Sequence, residues 1–271
     1  MRRFLITLGF MTRIPIPQNI PYQEGDLEKG IVWFPVIGLI LGTISAFVYF
    51  MISIFFPKEF AILLALLSNL CLTGAFHLDG LCDTVDGIYS ARTRERMLEI
   101  MKDSHIGTNG VAALVIDFAW KYIGISLSET PIIMILVLPI TGKMIQGILG
   151  YKAVYPRKEG LGLFVGTVTK VRVIICYLVG MIFVMLGTGL MNGSYAIKTG
   201  VFEQNSLPIS AYLILGALKG FVMSVVLFIV AKLFRSYIEK KIGGITGDVM
   251  GAGSEVCELM YLLLSHCHFY M

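Results

Sequence analysis

Three carboxylates, Asp79, Asp83 and Asp86, stand at i, i+4 and i+7 in His77-Leu78-Asp79-Gly80-Leu81-Cys82-Asp83-Thr84-Val85-Asp86-Gly87, directly after an apolar run. On an α-helix these offsets fall within an arc of roughly 60°. Like charges stacked that way repel unless something positive holds them. A hard divalent cation meets the need, and carboxylate oxygens suit Mg²⁺ better than zinc or copper. Gly80 and Gly87 remove bulk from the same stretch, so a phosphate is expected to approach it closely. The expectation is a metal–phosphate site at the end of a membrane helix, with Asp79, Asp83 and Asp86 as ligands.

A second acidic pair, Asp248 and Glu255, lies seven residues apart on one face of the last apolar segment. Gly251 and Ala252 between them leave room beside that face. The pair, with Asp86, is expected to complete the metal shell or to act as general base; a structural ion pair is the alternative. Gly243-Gly244-Ile245-Thr246-Gly247 opens this helix, and such a start favours anions. Arg92, Arg157 and Lys158 are the candidate phosphate contacts, because guanidinium binds phosphate oxygens bidentately. Lipid headgroups and topology charges are the competing readings for these basic residues. Asp117 and Lys121, at i and i+4 in an apolar segment, read as a paired couple. Lys143 is expected to reach a phosphate and Lys219 to pair with an acid. His77 reads as packing or support, since Mg²⁺ prefers oxygen.

The elements that must position these groups are membrane helices. Of 271 residues, 56% are hydrophobic and only 15% charged; soluble domains carry about 25% charged residues. Seven apolar segments recur, at 31–56, 60–76, 107–127, 131–149, 171–191, 209–234 and 248–268, each near the ~20 residues that cross a bilayer. Residues 1–12 are basic and apolar without a small-residue cleavage site, so an interfacial helix is expected there, with a disordered tail as the alternative. The fold class is all-α: one polytopic membrane domain over residues 1–271, about seven spans plus that interfacial helix. Cys71, Cys82, Cys176, Cys257 and Cys267 form no CxxC pair and read as small core residues.

Basic residues segregate between the alternate loops. The amino terminus, 77–106, 150–172 and 232–246 are rich in Lys and Arg; the other loops hold only Lys58 and Lys198. The positive-inside rule places the rich segments in the cytoplasm, with the amino terminus in and the carboxy terminus out. Every segment with chemical character then falls on the cytoplasmic side.

The run Gly74-Ala75-Phe76-His77-Leu78-Asp79-Gly80 through Asp83 and Asp86-Gly87, with Ser90-Ala91-Arg92 and Met97-Leu98-Glu99-Ile100-Met101-Lys102-Asp103-Ser104, resembles the cobalamin synthase family, the adenosylcobinamide-GDP ribazoletransferases. Thr12-Arg13-Ile14-Pro15, Trp33-Phe34-Pro35, Glu159-Gly160-Leu161-Gly162 and Thr246-Gly247-Asp248 extend the resemblance along almost the whole chain. Lys143, His105 and Asn109 stand where relatives often carry other residues, and no catalysis is assigned to His105 or Asn109. The resemblance implies that α-ribazole or its 5′-phosphate is joined to adenosylcobinamide-GDP, with Mg²⁺ as cofactor and GMP as product. Adenosylcobalamin, or its 5′-phosphate, is formed at a prokaryotic cell membrane. The lipid bilayer is the other partner; no nucleic acid is expected, and a homo-oligomer stays open.

Two other functions fit parts of the pattern. A membrane CDP-alcohol phosphotransferase shares the logic of metal, pyrophosphate donor and hydroxyl acceptor. An ion-coupled transporter would use Asp117, Lys121 and Lys219, but such sites lie near the midplane, often within inverted repeats, and no repeat is visible here.

Overall fold

The computed structural model describes residues 1–17, 19–157, 166–201 and 207–267. Among them all regular structure is helical: α1 (Arg2–Met11), α2 (Asp26–Gly30), a 3-10 turn (Ile31–Trp33), α3 (Phe34–Ser53), α4 (Lys58–Thr73), α5 (Phe76–Tyr89), α6 (Arg94–Ile100), α7 (Thr108–Ser126), α8 (Pro131–Gly150), α9 (Lys170–Thr199), α10 (Ile209–Ile242) and α11 (Gly247–Ser265). The amino-terminal segment is helical, as the interfacial reading expects. All five cysteines are free.

Each of the seven apolar segments holds one helix. Four of these, the helix running from Asp26 to Ser53, then α8, α9 and α10, are long and apolar enough to cross a bilayer; α4 and α5 together make a fifth if counted as one bent span. Helices α9 and α10 have 30 and 34 residues, longer than the expected segments. At about 1.5 Å per residue each exceeds a hydrocarbon core of about 30 Å, so both project beyond it.

Helix α8 is the axis of the bundle. It packs against α3, α9, α10 and α11, and is buried over most of its length. The α3 contact is close because Gly38 has no side chain: a Cβ there would fall 2.9 Å from the Ile140 Cα. In a bilayer small residues of this kind let helix backbones approach and gain dispersion contacts.

The bend that creates the acidic helix is local. Helix α4 ends at Gly74 (φ +62°), and Ala75 is also left-handed (φ +61°). Two successive left-handed residues cannot continue a right-handed helix, and α5 leaves at 85° to α4. Ala75 bears about 1–2 kcal/mol for that conformation. Helix α5 then packs on α11 and α7.

Polar contacts at the two ends of the bundle join the segments that charge counting put on one side. At one end Lys198 pairs with Glu129 at 2.6 Å, and Lys58 donates to the Ser126 carbonyl. At the other, Arg235 donates to the carbonyls of Ile148 and Tyr151, closing the carboxy-terminal end of α8.

Candidate functional site

The carboxylates of α5 part company in the structure. Asp86 accepts hydrogen bonds from the backbone N–H groups of Gly107 (2.7 Å) and Gly110 (2.8 Å). These are free donors at the start of α7, so Asp86 caps that helix from a neighbouring element, where the helix dipole also favours a negative charge. Asp79 and Asp83 instead face Asp248, at the start of α11. The acidic part of α5, from His77 onward, lies beyond the seven apolar segments. Burial pushes the Asp83 carboxyl up to about 7; Asp79, Asp248 and, least, Asp86 push the same way, against Arg157. The acidic group of the site is therefore Asp79, Asp83 and Asp248, and it draws on two helices.

Glycines make this meeting possible, but not as the sequence suggests. The space beside Gly80 is filled by Asp248: a Cβ there would fall 2.6 Å from its carbonyl oxygen and 3.0 Å from its Cα. The room beside Gly251 is taken by the His77 backbone at 3.1 Å. The side of Gly87 lies against Met97 and Met101. These glycines serve helix contact, and the expected close approach of phosphate at Gly80 and Gly87 is corrected accordingly.

Arg157 completes the group. Its guanidinium lies 2.8 Å from the Asp248 carboxylate and 3.4 Å from the Met101 carbonyl. A short backbone link aims it: the Ile245 N–H donates to the Val154 carbonyl at 2.9 Å, holding the segment before Arg157 against the turn before α11. Thr246 caps α11 through its side chain, accepting from the Val249 N–H at 3.3 Å. Among the described residues the buried Arg157 Nε has no hydrogen-bond partner. Lys158 and Glu159-Gly160-Leu161-Gly162 lie outside the described residues. Arg92 is exposed, at the turn after α5.

A cavity of about 190 Å³ opens on Asp79, Asp248 and Arg157. Its polar side is formed by His77, Asp79, Gln146, Tyr155, Arg157 and Asp248; its apolar side by Phe10, Met11, Phe34 and Phe76. Sequence reading missed Gln146, Tyr155 and the aromatic side. A buried Gln in an apolar helix was the one available signal; rings from α1, α3 and α5 carry none.

Glu255 is not beside Asp248. It pairs with Lys121, which also contacts Asp117 (3.2 Å) and Glu258 (3.0 Å). All three acids are at least 90% buried. The expected Asp117–Lys121 couple is present, but as part of a four-residue cluster between α7 and α11. Asp248 and Glu255 share a helix face and still end in different surroundings: one at the helix start near the cavity, the other two turns further into the bundle. Lys143 is buried beside His77, Nζ to Nδ1 3.5 Å, and not on the cavity lining. Lys219 donates to the Ser265 and Cys267 carbonyls at the end of α11.

Among the described residues no three His, Cys, Asp or Glu side chains converge as a complete metal site. The expected triad of Asp79, Asp83 and Asp86 is thus not assembled as a cage, because Asp86 turns to α7. The remaining donors still suit Mg²⁺. This ion usually takes one or two carboxylates and completes its shell with water and substrate phosphates.

Fold and site together define an all-helical membrane protein with a carboxylate–arginine cavity at one end of its bundle, the equipment of an enzyme that handles phosphoryl groups. More particularly, residues 3–266 match the family model described as cobalamin-5-phosphate synthase, and the chain belongs to that family. It is 39% identical to an adenosylcobinamide-GDP ribazoletransferase of Clostridium novyi, covering 97% of this chain and 96% of that one. It is 34% identical to the enzyme of the same name from Clostridioides difficile, covering 100% and 99%. The corresponding Alkaliphilus metalliredigens enzyme is 36% identical, covering 97% and 94%. No solved structure matches the chain.

Proposed function

We propose that this protein joins α-ribazole, or its 5′-phosphate, to adenosylcobinamide-GDP with release of GMP, forming adenosylcobalamin or its 5′-phosphate. The observation that carries the reading is the meeting of Asp79, Asp248 and Arg157 on the lining of one cavity, with Asp83 one turn along the same helix as Asp79, in a chain that matches ribazoletransferases end to end. In the reaction the ribose hydroxyl oxygen forms a bond to the phosphorus that bears the cobinamide arm. The bond from that phosphorus to the bridging oxygen of GMP breaks, and GMP leaves.

Arg157 binds phosphate oxygens of the donor by its fork, exchanging part of its contact with Asp248. Asp248, released from that contact, takes the hydroxyl proton on its carboxylate. Asp79 and Asp83 would hold Mg²⁺, which when bound neutralises charge on the pyrophosphate. Asp86 keeps α7 in register with α5. Glu255, Arg92 and Lys158 receive no step.

The seven helix-bearing segments are proposed as seven spans. The distribution of Lys and Arg puts the amino terminus and the cavity on the cytoplasmic side of a prokaryotic cell membrane. Placing charged α7 and α11 in a bilayer is reasonable because Lys121 faces three acids across their contact.

The test is GMP release by the detergent-purified protein, given adenosylcobinamide-GDP and α-ribazole, with and without Mg²⁺, beside Asp83→Asn. Mg²⁺-dependent release, lost in the variant, supports the reading. A folded protein that releases no GMP refutes it and brings CDP-alcohol substrates forward.

A further inference from the structure

We propose that the aromatic side of the cavity is the seat of the acceptor's base: Phe10 and Phe76 hold the dimethylbenzimidazole of α-ribazole, with its ribose directed at Asp248. The inference rests on the functional reading above and assigns it a substrate-selecting surface.

The cavity is divided by chemistry. Phe10 and Phe76 meet edge to face, centroids 5.6 Å apart and planes at 77°, and Phe76 makes a similar contact with the His77 ring at 5.4 Å. Phe34 and Met11, both at most 2% exposed, line the same cavity. Phe76 itself is 38% exposed, so its ring offers surface to a ligand. Directly after it in sequence come His77 and, one turn on, Asp79, so the ring and the acids share one short helix.

Three ligand parts compete for this surface. A corrin macrocycle with its upper adenosyl group is far larger than a cavity of about 190 Å³. Guanine is flat, but wherever its amide and amino edge faces Phe10, Phe76 and Met11 its polar groups are buried without partners. A methylated benzimidazole is flat, apolar on that edge, and stacks or lies edge-on against aromatic rings. Its glycosidic bond then points to the polar side, where the attacking hydroxyl is needed.

The experiment is equilibrium binding to the full chain in detergent, with α-ribazole, ribose 5-phosphate and adenosylcobinamide-GDP as separate probes. Phe10→Leu and Phe76→Leu keep apolar volume and lose the flat ring. Each is expected to weaken α-ribazole by about tenfold, the scale of one base–aromatic contact, and to leave the two other probes unchanged. Phe4→Ala serves as control: Phe4 packs on Trp33 at 5.5 Å, away from the cavity lining, and its loss should not change α-ribazole binding. The inference is overturned if the wild type does not bind α-ribazole, if both leucine variants bind it normally, if adenosylcobinamide-GDP alone is weakened, or if Phe4→Ala has the same effect. Ring-dependent α-ribazole binding without GMP release would sink the reaction and leave the base seat standing.

Discussion

Gly80→Ala should cost this enzyme its activity although no reacting group is removed. The added Cβ would stand 2.6 Å from the Asp248 carbonyl oxygen, about 0.8 Å short of ordinary contact at 3.4 Å, and 3.0 Å from the Asp248 Cα. Both obstacles are backbone, so no side chain can swing aside. Helices α5 and α11 must separate by several tenths of an ångström, or Asp248 must turn. Overpacking of this kind costs about 1–3 kcal/mol; the better helix propensity of alanine returns up to about 1 kcal/mol. The net loss of stability is therefore small, about 0–2 kcal/mol. The kinetic loss should be much larger. Displacement by about 1 Å between Asp79 or Asp83 on one helix and Asp248 on the other is worth about 100-fold in rate. The assay is initial GMP release, paired with thermal unfolding in the same detergent. Gly147→Ala, whose nearest neighbours would be at 3.6 Å, is the matched control and should be silent or slightly stabilising. Full activity of Gly80→Ala at unchanged stability would refute the claim that this contact sets the distance between the acids.

Asp86→Ala leaves the Gly107 and Gly110 N–H groups without their acceptor and should lower stability by about 1–2 kcal/mol, read as a lower unfolding temperature, with Asp86→Asn intermediate. Lys121→Met strands three buried carboxylates and should cost about 3–5 kcal/mol, seen as poor accumulation of folded protein; adding Glu255→Gln should restore part of the loss. Arg157→Lys keeps a charge but not the fork, so KM for adenosylcobinamide-GDP should rise while the unfolding temperature stays near wild type; an unchanged KM argues against a phosphate contact. Chelation of divalent cations should abolish turnover and readdition of Mg²⁺ restore it, leaving the helical circular dichroism signal intact.

The amino-acid sequence by itself determined the helical membrane class and the position of each apolar helix. Runs of about 20 apolar residues have few other stable solutions, since a bilayer leaves no partner for free backbone groups. It also determined the acidic stretch and the family, because residue types at fixed spacing on one helix are a local property. The Gly74-Ala75 bend was legible only as a break; its 85° angle depends on two left-handed residues in succession. What lies between helices was decided by tertiary structure alone. Asp79, Asp83 and Asp86 share a face by spacing, yet the open N–H groups of α7 engage Asp86, while Asp248 of another helix comes near Asp83. Asp248 and Glu255 also share a face, yet Lys121 of another helix claims Glu255. Periodicity fixes the direction in which a side chain leaves its own helix; which opposite charge, helix terminus or ring it meets is set by the crossing of two backbones, and here that crossing is set where Gly80 and Gly251 let α5 and α11 touch.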